Sequence, residues 1–149
     1  PGADPGVLDP VARTSAALQA SVPAAWLADL GVQVVIVPGT LSLSNIDGTL
    51  KIGLVAATGG WGTLRFVVVH EWAHQVAFHY GSQAHAGAPP DGFPYAGDHA
   101  QEVWADCVAR GLTGVSLGTD GLYPECGADL AAWARAWLGD GPAGRARTR

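Results

Sequence analysis

The chain is 149 residues long, 48% hydrophobic and only 14% charged, which suits one well-buried globular core and leaves too little surface for two. Its formal net charge of -5 excludes a nucleic-acid surface built on clustered Lys and Arg, and no apolar run approaches the roughly 20 residues that cross a bilayer. The one basic group, Arg145, Arg147 and Arg149, follows Gly139, Gly141 and Gly144 and reads as a flexible, solvated C-terminal tail over 139–149.

In chain order, Asp9-Pro10 places an N-cap before a proline at the first helical position, so a helix is expected to about Ala20. Pro23 opens a second, short helix carrying Trp26, Leu27 and Leu30, expected to end with Gly31 in the left-handed conformation. Val32 to Val37 is β-branched apart from Gln33 and is bounded by Gly31 and Pro38-Gly39, which predicts a strand covered on both faces. Leu41 to Ser44 alternates and runs into the turn residues Asn45, Asp47 and Gly48; a strand from about Leu50 to Thr58 would complete a hairpin. Gly59-Gly60-Trp61-Gly62 breaks the backbone, after which Thr63 is a plausible cap for a long helix ending at Gly81.

From Ser82 to Gly97 the prolines and Asp91-Gly92 forbid regular structure, and a loop of that length is usually functional. Asp98 and Gln101 predict a capping box opening a helix to about Arg110, stopped by Gly111. Leu130, Trp133, Ala134, Trp137 and Leu138 mark a last amphipathic helix whose tryptophans pack inward. The pattern is α+β: a small, mostly antiparallel sheet packed on the long helix, with further helices behind it.

The long helix contains His70-Glu71-Trp72-Ala73-His74. Residues i and i+4 lie about 40° apart on a helix, so His70 and His74 leave one face and can offer two imidazoles to a single metal ion. Glu71 can then lie beside the ion's open position, where a general base belongs. A catalytic zinc takes three protein ligands. The next helix offers Glu102 and, four residues on, Asp106: one carboxylate to bind, the other to accept a hydrogen bond from a ligating histidine, with Trp104 facing away. Other third ligands fit less well. His79 is about 180° around the helix from His70, His85 lies in the loop, and His99, one turn before Glu102, lines the cleft more readily than it reaches the ion. Ala77 and Tyr80 stand where a metzincin has its glycine and third histidine.

The two motifs together, His70-Glu71-Trp72-Ala73-His74 and Glu102-x-x-Ala105-Asp106, resemble the gluzincin class of zinc metallopeptidases, particularly its smallest single-domain members, over roughly Leu50 to Arg110. The resemblance implies a zincin-like fold with one Zn2+ held by His70, His74 and Glu102. It makes Glu71 base and acid in hydrolysis of a peptide or protein substrate, and gives Asp106 the task of orienting a histidine, His70 first. In such families the strand before the active helix, here Leu50 to Thr58, offers its edge to an extended substrate; a plain Gly-rich turn into the helix explains the same residues equally well.

The chain departs from the thermolysin-like branch in a longer stretch between His74 and Glu102 and in Gln101 and Ala105 for the usual Asn and Ser, and the residues after Glu102 are expected to be too few for the second domain that supplies the oxyanion-stabilising histidine. Tyr95 and His99, then Tyr80 and His85, are the donors nearest in sequence to take that role. A non-catalytic protein of the same fold, binding a peptide or protein partner, is the alternative; the intact Glu71 beside all three ligands speaks against it.

Cys107 and Cys126 are the only cysteines. A bridge between them would close a loop with useful gain and point to a secreted or extracytoplasmic protein; two free thiols, with Cys107 buried on its helix, are the alternative. A chain opening on Pro1 without any Met is expected to have had its native start removed.

Overall fold

The computed structural model describes residues 3–6 and 9–148. Helix α1, Pro10–Gln19, starts as its sequence requires: Asp9 is the N-cap, its carboxylate accepting the Val11 N–H at 3.0 Å. Helix α2 is Ala24–Asp29 and closes on Leu30, and Gly31 does not take up the left-handed conformation expected of it.

Strands β1 (Gln33–Val37), β2 (Leu43–Ser44) and β3 (Thr49–Gly53) form one sheet in the order β1-β3-β2. The expectation of a mostly antiparallel sheet is overturned. β1 runs parallel to β3 from Gln33↔Thr49 to Val37↔Gly53, whereas β2 pairs antiparallel over Leu43↔Lys51 and Ser44↔Leu50 only. After β1 the chain crosses the end of β3 to reach its far side, where the Gly39 carbonyl accepts the Val55 N–H and the Ser42 hydroxyl accepts the Gly53 N–H. Gly53 permits this crossing: a Cβ there would lie 2.8 Å from the Gly39 carbonyl oxygen. β1 is therefore an outer, half-buried strand rather than one covered on both faces, while Leu50 and Ile52 of central β3 are fully buried.

The same crossing ends β3 early. Leu54–Thr58, expected to continue the strand, forms a short helix α3. Helix α4, Trp61–Tyr80, begins from Gly60, so Thr63 lies inside its first turn rather than capping it. Val67-Val68-Val69 are poor helix formers, yet Val68 and Val69 are completely buried; packing sets their conformation. α4 touches α1, the sheet and helix α5 (Ala100–Thr113), and α5 in turn carries α6 (Ala128–Leu138).

Two details of α5 differ from expectation. Its N-terminus is His99 at φ 60, with no capping side chain, so the Asp98–Gln101 box does not form. It also runs through Gly111 to end at Gly114, which takes the left-handed conformation at φ 71. Gly111 instead marks helix contact, since a Cβ there would come within 2.7 Å of the Ala131 carbonyl of α6.

One hydrophobic cluster joins α1 to α6, with Trp26, Trp72 and Trp104 fully buried. Trp26 donates to the Leu138 carbonyl at 3.0 Å and Trp104 to the Ala73 carbonyl at 3.1 Å, so two indoles tie helices together by polar as well as apolar contact. Cys107 and Cys126 are joined in a disulfide, which decides between the bridge and the free thiols. The C-terminal segment, expected as a solvated tail, is seated on the domain: Arg145 stacks over Trp137, Arg147 pairs with Asp29 at 3.0 Å, and the Thr148 N–H donates to the His79 carbonyl. Arg149 lies outside the described residues. No described helix is long and apolar enough to cross a membrane.

The disulfide fixes α5 to the chain that follows it. Replacing Cys107 and Cys126 together by Ala should cost about 3 kcal/mol in denaturant unfolding of the oxidised protein; an unchanged midpoint would show the bridge to be idle. Asp29 sits well below its ordinary value of 3.8 because Tyr80 and Arg147 hydrogen-bond its charged form. A depressed carboxylate stabilises fully above the ordinary value and loses that contribution as pH falls through the lowered one. Asp29→Asn should therefore lower Tm by about 2–4 °C at neutral pH, with the gap closing in acid; a pH-independent gap would implicate something other than the charge.

Candidate metal centre

Three side chains from two helices converge. His70 and His74 share one face of α4, and their Nε2 atoms lie 3.3 Å apart. Glu102, in the first turn of α5, brings Oε2 to 3.1 Å from His70 Nε2 and Oε1 to 3.3 Å from His74 Nε2. A potential ligand atom from each of the three lies within 4.8 Å of the others, and the group could hold a metal ion.

The register of α5 on α4 produces this. Trp104, fully buried, reaches across to the Ala73 carbonyl of α4, and the turns on either side of it carry Glu102 and Asp106 on the opposite face. Asp106 is buried and accepts the Nδ1–H of His70 at 2.7 Å. An ionised carboxylate can only accept, so Nδ1 carries a proton and Nε2 is the atom turned toward His74 and Glu102.

The electrostatics favour a positive charge at this place. Burial alone would depress the His70 imidazole, but hydrogen bonds to Asp106 and Glu102 and the nearby Glu71 and Asp106 charges raise it to about 10. Glu102 is held far below the carboxylate range by its hydrogen bonds to His70 and His74. Glu71 is not part of the trio. Its carboxylate stands 4.0 Å from His70 Nε2, and burial pushes its pKa up, against the pull of the two histidines.

The chain matches no known family model, no characterised protein and no solved structure. The geometry stands alone in describing the site.

The cleft around Glu71 has two arms. One, of about 210 Å³, lies among Ser42, Phe66, Val67, Glu71, Leu117 and Tyr123. The other, of about 220 Å³, lies among Ser42, Leu43, Ser44, His74, Phe78 and Glu102, again with Glu71 in its wall. The strand alongside the cluster is β2 with the preceding Ser42, not the Leu50–Thr58 segment, whose residues line neither arm.

Two of the donors read from sequence are otherwise engaged. Tyr95 gives its hydroxyl to the Asp98 carbonyl at 2.9 Å, and Tyr80 gives its own to Asp29 at 2.6 Å. His99 and His85 line a further cavity that shares Gln101 and Glu102 with the second arm. His79 is not in the cluster.

Tyr123 is the residue that sequence reading missed. It lies in the chain between α5 and α6 and lines the first arm together with Asp106; burial and then the Asp106 and Glu102 charges push its phenol up. The signal was present. Cys107 is Asp106's neighbour, so a bridge to Cys126 brings the segment three residues after Tyr123 beside the site, but the side chain's place there is set by the fold.

Purified protein should take up about one metal ion per chain. Glu102→Ala should abolish stable uptake, and Asp106→Ala should weaken affinity about 10–100-fold by freeing His70. Titration followed by elemental analysis decides it; Glu102→Ala retaining full stoichiometry would exclude this carboxylate as a ligand.

Proposed function

We propose that the protein is a zinc-dependent peptidase of gluzincin type, hydrolysing peptide bonds in a peptide or protein substrate. The observation that carries the reading is the trio of His70, His74 and Glu102, with spacings of 3.1 to 3.3 Å. Ligands about 2.0–2.1 Å from a tetrahedral zinc lie about 3.3–3.4 Å from one another; the two Nε2 atoms already stand at that separation, and Glu102 offers one oxygen to each imidazole, which supports that ion. Two imidazoles and one carboxylate also make the donor set of a hydrolytic zinc site that keeps a position open. The long helix lying against a small sheet, followed by a helix bearing the third ligand and its acidic neighbour, supports a zincin-like fold.

Zinc bound there supplies a Lewis acid for the scissile carbonyl and acidifies water. The chain's own residues do the rest. Asp106 holds the His70 ring in one tautomer and orientation, with Tyr123 lining the same cavity. Glu71, buried and turned to the cleft, takes the proton of the attacking water and returns it to the departing amine, so the products are a carboxylate and an amine. Burial strengthens its basicity for that exchange. The Cys107–Cys126 bridge supports placement in a secreted or extracytoplasmic compartment.

Glu71→Gln keeps the shape and removes the base. It should retain zinc and lower turnover of a peptide library by about 10²–10⁴-fold, read by mass spectrometry of the cleavage products. A wild type that binds zinc and peptide yet releases no products would favour the non-catalytic binding protein.

A further inference from the structure

We propose that the cavity between the 82–97 loop and the start of α5 is a pocket for a basic side chain of the substrate, with Asp98 as the specificity-determining residue that meets its charge. The inference rests on the peptidase reading only for the claim that the bound peptide is then cleaved.

The cavity, of about 440 Å³, is larger than either arm of the cleft, and Gln101 and Glu102 stand both in its wall and in that of the second arm. A side chain projecting from a peptide in that arm enters it beside the metal cluster. Its chemistry is unlike that of the first arm, where Phe66, Val67 and Leu117 make an apolar wall. Here no apolar side chain is larger than Ala100, and the wall is made of His85, Asp98, His99, Gln101 and Glu102. A long apolar side chain finds few carbon contacts in such a place, and an acidic one meets two carboxylates. An arginine or lysine meets acceptors.

Glu102 already gives an oxygen to each histidine of the cluster. Asp98 is exposed, and no described Lys or Arg pairs with it. Every described arginine is engaged elsewhere, from Arg13 on Asp4 to Arg147 on Asp29, and the single lysine, Lys51, lies on β3. The backbone around Asp98 is nevertheless fixed. Its carbonyl accepts the Tyr95 hydroxyl at 2.9 Å, and Tyr95 covers Gly97 so closely that a Cβ there would come within 2.6 Å of that hydroxyl. His99, left-handed at φ 60, then turns the chain into α5 with its ring 6.2 Å from that of Tyr123. The N-terminus of α5 opposes a cation with about half a charge, less than the whole charge of Asp98 alone.

The probes are the blocked peptides acetyl-Ala-Ala-Xaa-Leu-Ala-Ala-amide and acetyl-Ala-Ala-Leu-Xaa-Ala-Ala-amide, with Arg, Gln or Glu at the variable place, titrated calorimetrically into zinc-loaded Glu71→Gln protein. In one of the two frames Arg should bind about fivefold tighter than Gln and Glu about fivefold weaker, the Arg advantage shrinking to about twofold in 0.5 M salt. Asp98→Asn should bring Arg to the level of Gln. Asp98→Arg should make Glu the preferred residue, an inversion that a merely structural aspartate would not give. Arg and Gln bound equally in both frames, or an Arg advantage that survives Asp98→Asn, overturns the proposal. So does a preference for Glu with Asp98 in place, which would mark an anion site at the helix start. Arg preference without cleavage by the wild type upholds the pocket and sinks the peptidase reading. Cleavage without that preference does the reverse, and neither binding nor cleavage overturns both.

Discussion

Helix α5 meets α4 along a seam centred on Trp104, whose ring is buried among apolar neighbours and whose indole N–H ends on the Ala73 carbonyl. That contact sets the rotation and height of α5. Two residues on either side of Trp104, about half a turn and so on the helix's other face, come Glu102 and Asp106, which meet His74 and both ring nitrogens of His70. Full burial of a large apolar side chain contributes roughly 1.5–3 kcal/mol, and here it also aligns acidic groups that would be costly to bury without partners. Shifting α5 by one residue would turn those carboxylates by about 100° and scatter the cluster.

Around this seam the fold supplies two walls. β2 stands on one side of the cluster, held to α4 through Gln75. On the other side the chain between α5 and α6 returns over α5, fastened by the Cys107–Cys126 bridge and by Arg110 donating to the Cys126 carbonyl. The second wall brings Tyr123 to Asp106, so the bridge next to Asp106 in sequence also governs what covers it in space. Glu71 lies between the walls, buried enough for its basicity to rise.

Away from the cleft the aromatic residues do the joining. Trp26 meets Trp72, Tyr80 and Trp137 at ring separations of 5.3 to 6.1 Å, linking α2, α4 and α6. The C-terminal segment closes over this group through Arg145 and Arg147. A basic segment that reads as solvated in sequence is placed by cation–π contact and by Asp29, partners distant in the chain and invisible to any local pattern.

The sequence by itself determined what is local and periodic. Asp9-Pro10 begins α1, the spacing of His70 and His74 puts them on one helix face, Glu102 and Asp106 repeat that spacing, and the last helix follows its apolar period. Tertiary structure decided everything that depends on chain crossing or close approach. Pairing partners of strands are non-local, so the parallel β1–β3 ladder could not be read from alternation, and the crossing at Gly53 turned an expected strand into α3. A glycine looks the same in a string whether it caps a helix or admits a neighbour, which is why Gly111 reads as a stop but marks contact with α6. Tyr123 and Gln75 gained their places because a disulfide and a buried amide join segments far apart in sequence, and only the folded chain says which segments those are.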